Sequence, residues 1–358
     1  MKRRALFALA ALGMAGGPLA ARTPEPIIAA IRARAELATF QGTILIGEKD
    51  GSSQILVTGP DPVAPDAVWR WASITKQLAA VIAMQEVAKG RLDLDAPVSR
   101  YWPEWKAPNA ATIRIRDLML HNSGLPQPDE SKPDADGIPA FYRSAAVTPS
   151  RAAAGFCAGP ARAAAPAKYE YNNCDTIVLA EVLARVTSRP FERLIRERIA
   201  RPLGMKSFGM FALGKPHAHV APNGEFANLD PLLNLGVNGA SAGAYGTIAD
   251  LWRFDHALLS GKLLPAAERD LMWQSSRDNG FYGFQQWIFP ARLVGCPGEM
   301  QVVERQGLVG GIELRNYLLP ATGQAVILFS RHRPSGYGDP WEGKGFAYDI
   351  LSTVACRP

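Results

Sequence analysis

Several protein classes are excluded by what the chain lacks. Beyond its N-terminal stretch it has no run of about 18 consecutive apolar residues, so no membrane-spanning helix is expected in the body of the chain. Its body has no cluster of Lys or Arg. A net charge of +6 over 358 residues is too small and too dispersed for a nucleic-acid-binding face. Nothing repeats at a fixed period, which argues against solenoids and propellers. Cysteine is scarce, four in all, and the first is Cys157, so no lipid-attachment cysteine follows the N-terminal segment. What remains is a globular composition, 47% hydrophobic and 20% charged. That is enough apolar surface for a sizeable core and rules out wholesale disorder. The length suits one large domain or two ordinary ones.

Residues 1–21 read as a secretory signal. Lys2, Arg3 and Arg4 form a basic start, Leu6 to Leu12 an apolar stretch, and Ala20 and Ala21 offer a small-residue cleavage site. Gly13, Gly16, Gly17 and Pro18 interrupt the apolar stretch, which is also too short to span a bilayer well. A periplasmic or secreted protein is expected, by the general export route or, second, by the twin-arginine route. Four cysteines in an exported chain predict two disulfides with three possible connectivities. The favoured pairs are Cys157–Cys174 and Cys296–Cys356, the alternative four separate buried thiols. The first pair would close a loop of about 17 residues, worth about 3 kcal/mol in the chain-entropy model.

Gly42 to Gly47 and Gln54 to Thr58 read as a β-hairpin turning at Lys49-Asp50-Gly51. A helix from about Ser73 to Lys89 follows, stopped by Gly90. Its Ile74, Leu78, Val81 and Ile82 recur at helical spacing, and Ala79, Ala80, Ala83 and Met84 fill the other faces, which predicts a buried central helix. Pro126 to Ala167 reads as surface loops around one short helix. Further helices are expected over 175–188, 191–201, 247–260 and 349–356, and strands over 301–304, 313–319 and 325–330. Strands at both ends with helices between predict one sheet completed by distant segments.

Ser73-Ile74-Thr75-Lys76 is the single S-x-x-K of the chain. At i, i+3 on a helix the hydroxyl and the amine share a face. A lysine there sits beside the core, which is costly without a task or a partner. The bland alternative is an N-capping Ser with a surface Lys. The segments around this motif decide between the two. Trp71 to Trp105, Leu118-Met-Leu-His-Asn-Ser-Gly-Leu125, Lys168 to Met205 and Ala240 to Leu264 occur in order over nearly the whole chain past the signal. Together the chain resembles the serine β-lactamase and penicillin-binding-protein superfamily, in particular the class C β-lactamase-like hydrolases and esterases.

The resemblance implies an α/β (α+β) fold of the β-lactamase/transpeptidase type: a mostly antiparallel sheet flanked by helices, with an all-α subdomain. Residues 22–358 would form a single hydrolase domain, its sheet part from about 22–96 and 239–358 and its helical part about 97–238, with the cleft between. It implies Ser73 as the acylated nucleophile, Lys76 as its activating neighbour and Tyr171 as proton carrier. Asn173 would hold Lys76 and the substrate amide. Gly307 would let the strand approach the substrate, and the N–H groups of Ser73 and Leu308 would form the oxyanion hole. A tyrosine base needs its pKa pulled down from about 10, and the charge of Lys76 is the physical means.

The third family element departs from pattern. Arg305-Gln306-Gly307 stands where Lys-Thr-Gly or His-x-Gly is usual. Arg305 keeps the charge, and its fork favours a carboxylate, so it is expected at the cleft edge as a substrate clasp. Loss of the Thr hydroxyl makes esters, amides or peptides the expected substrates ahead of cephalosporins. No metal or organic cofactor is implied, no nucleic acid, no stable membrane insertion and no obligate protein partner. An exported serine hydrolase working through an acyl-enzyme is the reading; a penicillin-recognising or peptide-binding protein with little turnover is the alternative. Gly239-Ala-Ser241-Ala-Gly243 with Asp255 and His332 imitates an α/β-hydrolase triad, but no good strand precedes it. His217 and His219 lack a third metal ligand nearby. Trp69, Trp71, Trp102 and Trp105 read as packing or cleft lining.

Overall fold

The apolar runs at the two ends of the chain pair with each other. The computed structural model describes residues 23–143, 147–212, 233–331 and 337–356. The expected signal peptide, His217, His219 and His332 lie outside the described residues. In chain order come α1 (Glu25–Leu37), β1 (Gly42–Gly47), β2 (Ser53–Thr58), β3 (Val68–Arg70) and α2 (Thr75–Ala88). The helical stretch follows: α3 (Val98–Tyr101), α4 (Ile115–Met119), α5 (Pro149–Ala154), α6 (Asn173–Thr187) and α7 (Phe191–Ile195). Then come β4 (Gly209–Met210), β5 (Ala244–Thr247), α8 (Ile248–Leu259) and α9 (Ala266–Met272). The chain ends with β6 (Trp287–Ala291), β7 (Met300–Val309), β8 (Ile312–Leu319), β9 (Gln324–Ser330) and α10 (Phe346–Ala355).

Six strands form one antiparallel sheet in the order β2-β1-β9-β8-β7-β6. β1 pairs with β9, Gly42 opposite Ser330, so the first hairpin is completed by the last strand. β8 and β9 are buried along their whole length. One face packs on α1 and α10 through Ile31, Ile350, Val302 and Leu328; the other meets α2 and α8 through Leu45, Val303, Leu314 and Phe329. A side chain such as Ile31 or Leu314, both fully buried, contributes about 1.5–3 kcal/mol on leaving water. α3 to α7 share that second core with α2. The short strands β3, β5 and β4 make a separate three-stranded sheet.

α2 is buried from Thr75 to Met84, as its all-round apolar pattern predicts. A 3₁₀ turn, Ala72–Ile74, precedes it, so Ser73 lies just ahead of the α-helix rather than inside it. α10 starts at Phe346, three residues earlier than expected. β7 extends far past its expected end at Glu304 and carries Arg305, Gly307 and Leu308 as strand residues. Two disulfides are present, Cys157–Cys174 and Cys296–Cys356. Trp69, Trp71, Trp102 and Trp105 are buried in the core, and Trp102 stacks on Trp105.

Candidate active site

The turn bearing Ser73 is fixed before any catalytic group is considered. Ala72 adopts φ 45°, a left-handed conformation that costs a non-glycine residue of order 1–3 kcal/mol and persists only where neighbours hold it. Here they do. Trp71 N–H donates to Ala244 O at 2.9 Å and its indole Nε1 to Gly246 O at 3.1 Å. Thr75 Oγ1 donates to Ala72 O and accepts from Ala244 N–H. From the other side β7 closes in: a Cβ on Gly307 would lie 2.5 Å from Trp71 O. Only glycine allows that approach.

Lys76, fully buried, donates from Nζ to Asn173 Oδ1 at 2.7 Å, Ser241 O at 2.8 Å and Ser73 Oγ at 3.2 Å. Its three N–H groups are thereby matched to three acceptors. Burial is the chief force on its pKa, pulling it down to about 8; the nearby Tyr171 pushes up and Arg305 pushes down. Tyr171 Oη lies 2.6 Å from Ser73 Oγ and 2.7 Å from Arg305 Nη2. Burial pushes this phenol up, but the guanidinium of Arg305 and the charge of Lys76 outweigh it, and the net shift is downward. Asn172 and Gln127 hold the Tyr171 loop through Leu125 O at 2.8 Å and Tyr171 O. The Cys157–Cys174 bond ties its far end.

Arg305 is a correction. It borders the cleft, yet it is only 1% exposed. Its Nε donates to Ser73 O at 2.8 Å, Nη1 to Tyr282 Oη at 2.9 Å and Gln285 O at 3.3 Å, and Nη2 to Tyr171 Oη. Four of its five N–H groups are thus spent inside the protein. A two-pronged clasp on a substrate carboxylate is not available, because the fork already grips the nucleophile turn and the tyrosine. Burying a permanently charged group is tolerable only with such a complete set of acceptors. Tyr282 and Gln285 come from a loop with no motif to announce them.

The remaining expected residues converge on the same place. Asn173 opens α6 and presents Oδ1 to Lys76 and Nδ2 to Tyr142 Oη at 2.9 Å. Leu308 lines the cavity with Ser73, Tyr171, Asn173 and Arg305 and is 48% exposed. That cavity, about 410 Å³, also meets Asp129, Tyr142, Asn234 and Trp287, none of which the motifs singled out. Beneath Tyr171 lies a buried pair, His121 Nδ1 and Asp175 Oδ2 at 2.9 Å, with Ser123 Oγ on the other carboxylate oxygen. The His121 ring meets the Tyr171 ring edge-on at 4.8 Å. Burial lowers His121 and raises Asp175.

Ser241 is fully buried and its hydroxyl donates to Asn238 O. It serves Lys76 through its carbonyl only. Asp255 is buried against Asn316, 2.9 Å away, and burial raises its pKa well above the usual range. The hydrolase-elbow imitation therefore supplies no exposed nucleophile. No group of three His, Cys, Asp or Glu suited to a metal occurs among the described residues.

A sheet covered by helices on both faces, with a serine, a lysine and a tyrosine within hydrogen-bond reach at one edge, is the arrangement of the β-lactamase and penicillin-binding-protein fold. The chain belongs to the beta-lactamase family, whose model matches residues 35–333. PbpX of Bacillus subtilis (strain 168) is 26% identical over 263 residues, covering 72% of this chain and 60% of its own length; the chain thus spans less than two thirds of that relative. The D-alanyl-D-alanine-carboxypeptidase/endopeptidase AmpH of Escherichia coli (strain K12) is 26% identical over 277 residues, 71% of this chain and 68% of AmpH. The D-amino acid amidase of Ochrobactrum anthropi SV3, solved with L-phenylalanine amide, superimposes with a TM-score of 0.75 at 20% identity, covering 92% of this chain and 99% of the amidase. That likeness is one of fold.

Proposed function

We propose that the protein is an exported hydrolase that cleaves amide, ester or peptide bonds through an acyl-enzyme on Ser73. One observation carries the reading: Tyr171 Oη sits between Ser73 Oγ and Arg305 Nη2, at 2.6 Å and 2.7 Å, with Lys76 Nζ 3.2 Å from the same hydroxyl. Two fixed cations around one phenol favour its ionised form. Ser73 Oγ attacks the carbonyl carbon and its proton passes to the Tyr171 oxygen. The oxyanion forms between the N–H groups of Ser73 and Leu308, where preorganised donors count most. Tyr171 then protonates the departing amine or alcohol as the C–N or C–O bond breaks. In the second half Tyr171 takes a proton from water, hydroxide attacks the ester on Ser73, and the acid leaves as Ser73 regains a proton. Two disulfides and the basic-apolar N-terminal stretch support export.

The test is intact mass after treatment with a fluorophosphonate, alongside turnover of p-nitrophenyl esters and nitrocefin. One adduct should form on wild type and on Ser241→Ala and none on Ser73→Ala. An adduct that survives Ser73→Ala, or disappears only in Ser241→Ala, sinks the assignment.

A further inference from the structure

The cleft has a charge that the proposed chemistry leaves unused. Among the described residues, its wall carries Arg305 and Asp129 besides the Tyr171 phenol that the proposed chemistry uses. Arg305 is committed inward. Asp129 is exposed, makes no ion pair among the described residues, and accepts one hydrogen bond there, at Oδ1 from Tyr142 Oη. Its Oδ2 is free to take another.

Asp129 is wired to the nucleophile by a row of short contacts. Lys76 Nζ reaches Ser73 Oγ and Asn173 Oδ1; Asn173 Nδ2 reaches Tyr142 Oη; Tyr142 reaches Asp129. A substrate whose carbonyl is at Ser73 can lay its acyl portion along that row. Leu233, Leu235 and Trp287 supply apolar wall to the same cavity. A carboxylate placed there would meet Asp129 and no free guanidinium. An ammonium would meet a carboxylate oxygen and a phenol oxygen, both able to accept from it, while Asn173 gives its Oδ1 to Lys76 and its Nδ2 to Tyr142.

We propose that Asp129 and Tyr142 form an ammonium subsite, and that the preferred substrates are amides, esters or short peptides whose acyl residue bears a free amino group and an apolar side chain. This rests on the acyl-enzyme reading above and narrows it. A protonated amine held by a charge-assisted pair should be preferred over its neutral counterpart by about tenfold or more in kcat/KM. The α-amino group of such a substrate titrates near pH 7.7–8.0. The preference should therefore decline as pH rises through about 8, on the substrate's own titration.

The experiment compares leucine p-nitroanilide, in each enantiomer, with N-acetyl-leucine p-nitroanilide and with the 4-methylpentanoyl anilide that lacks the nitrogen. Wild type and Asp129→Asn are read as the ratio of amine to nitrogen-free substrate, so that a general loss of activity cancels. In parallel, leucine amide and N-acetyl-leucine amide compete with fluorophosphonate labelling of Ser73, a readout that needs no anilide turnover. The expected result is an amine preference and selective protection in wild type, both falling towards unity in Asp129→Asn. Equal rates and equal protection in wild type would overturn the subsite, as would a preference that survives in Asp129→Asn. If Ser73 is labelled and esters turn over while the amine is ignored, the subsite alone fails. If Ser73 is never labelled, the acyl-enzyme reading fails and the subsite falls with it.

Discussion

Replacing Arg305 by Gln should move the rising limb of the pH–rate profile to higher pH. The substitution removes a charge whose Nη2 stands 2.7 Å from Tyr171 Oη and leaves a shorter, neutral amide. Two unit charges about 4 Å apart at an effective dielectric constant near 20 interact by about 4 kcal/mol, some three pKa units. A single charged hydrogen bond gives about 1.5–3 kcal/mol, one to two units. The limb should therefore shift by about one to three units. Its direction does not depend on which group is the base. Arg305 lowers both Lys76 and Tyr171, so its loss raises both, and the coupled pair titrates later as a unit. Arg305→Lys keeps a point charge without the fork and should shift the limb by less than half as much.

The assay is kcat/KM for a neutral p-nitrophenyl ester from pH 5.5 to 9.5. At pH 7 the Gln variant should be slowed about tenfold or more, with much of the rate returning at alkaline pH. That recovery separates an electrostatic role from a structural one. Loss of the guanidinium also strips a donor from Tyr282 Oη and Gln285 O, costing about 1–3 kcal/mol of stability. The Tm is therefore measured alongside, and rates are compared well below it. A limb that stays within about 0.3 units of wild type in Arg305→Gln refutes the reasoning.

Gly307→Ala should reduce acylation by about a hundredfold, since its Cβ would fall 2.5 Å from Trp71 O and displacements near 1 Å at a reacting centre cost about that much; burst kinetics with an activated ester would show it, and a wild-type burst would count against the close approach. Cys157→Ser should lower the unfolding free energy by about 3 kcal/mol and depress turnover even where the protein stays folded, because Cys174 directly follows Asn173; turnover unchanged in folded protein would mean that the tether is irrelevant to the site. Asp175→Asn should make stability newly sensitive to acid. In wild type burial raises Asp175 above its ordinary 3.8 and lowers His121 below its ordinary 6.5, so between those values the proton gained by the folded carboxyl offsets the one lost by the folded imidazole. In the variant the folded state excludes a proton that unfolded His121 binds, so its stability relative to wild type should fall below pH 6.5 by up to about 1.4 kcal/mol per unit. Urea unfolding at pH 7 and pH 5.5 checks this, and an offset independent of pH would contradict it.

The elements legible in the chain are those whose pattern and burial agree. α2 is apolar all round and central; β9 holds the continuous apolar run Ala325 to Phe329, and β8 ends in Tyr317, Leu318 and Leu319, both in the middle of the sheet. α1 carries only Ile28, Ile31 and Ala35 inward among many alanines and charges, a stripe too thin to read. β6 contains Pro290, which is tolerated because β6 is an edge strand but which hides the strand in the sequence. β3, β4 and β5 are two to four residues long and leave no period. β7 runs on past Glu304, but Arg305, Gln306 and Gly307 lack the apolar alternation of a strand. Within the site, the motifs carried Ser73, Lys76, Tyr171 and Asn173. Tyr142 and Asp129 arrive from a Pro/Gly-rich stretch, and Tyr282 from a loop between α9 and β6; no local signal marks them because only tertiary contact gives them a role.

The orientation of Arg305 links these two kinds of residue. An arginine at this strand position reads from sequence as a preserved positive charge for the substrate. In the fold, the acceptors waiting for it are Ser73 O, Tyr282 Oη, Gln285 O and Tyr171 Oη, and a planar fork satisfies all four where a lysine's single nitrogen could not. The charge is thereby moved from the substrate to the proton-transfer machinery. Asp129 becomes the charge that faces the cavity. On the proposals above, one residue on β7 has two consequences that can be measured separately: the pH of the rising limb, through Tyr171, and the sign of the preferred substrate charge, through the absence of a competing cation opposite Asp129.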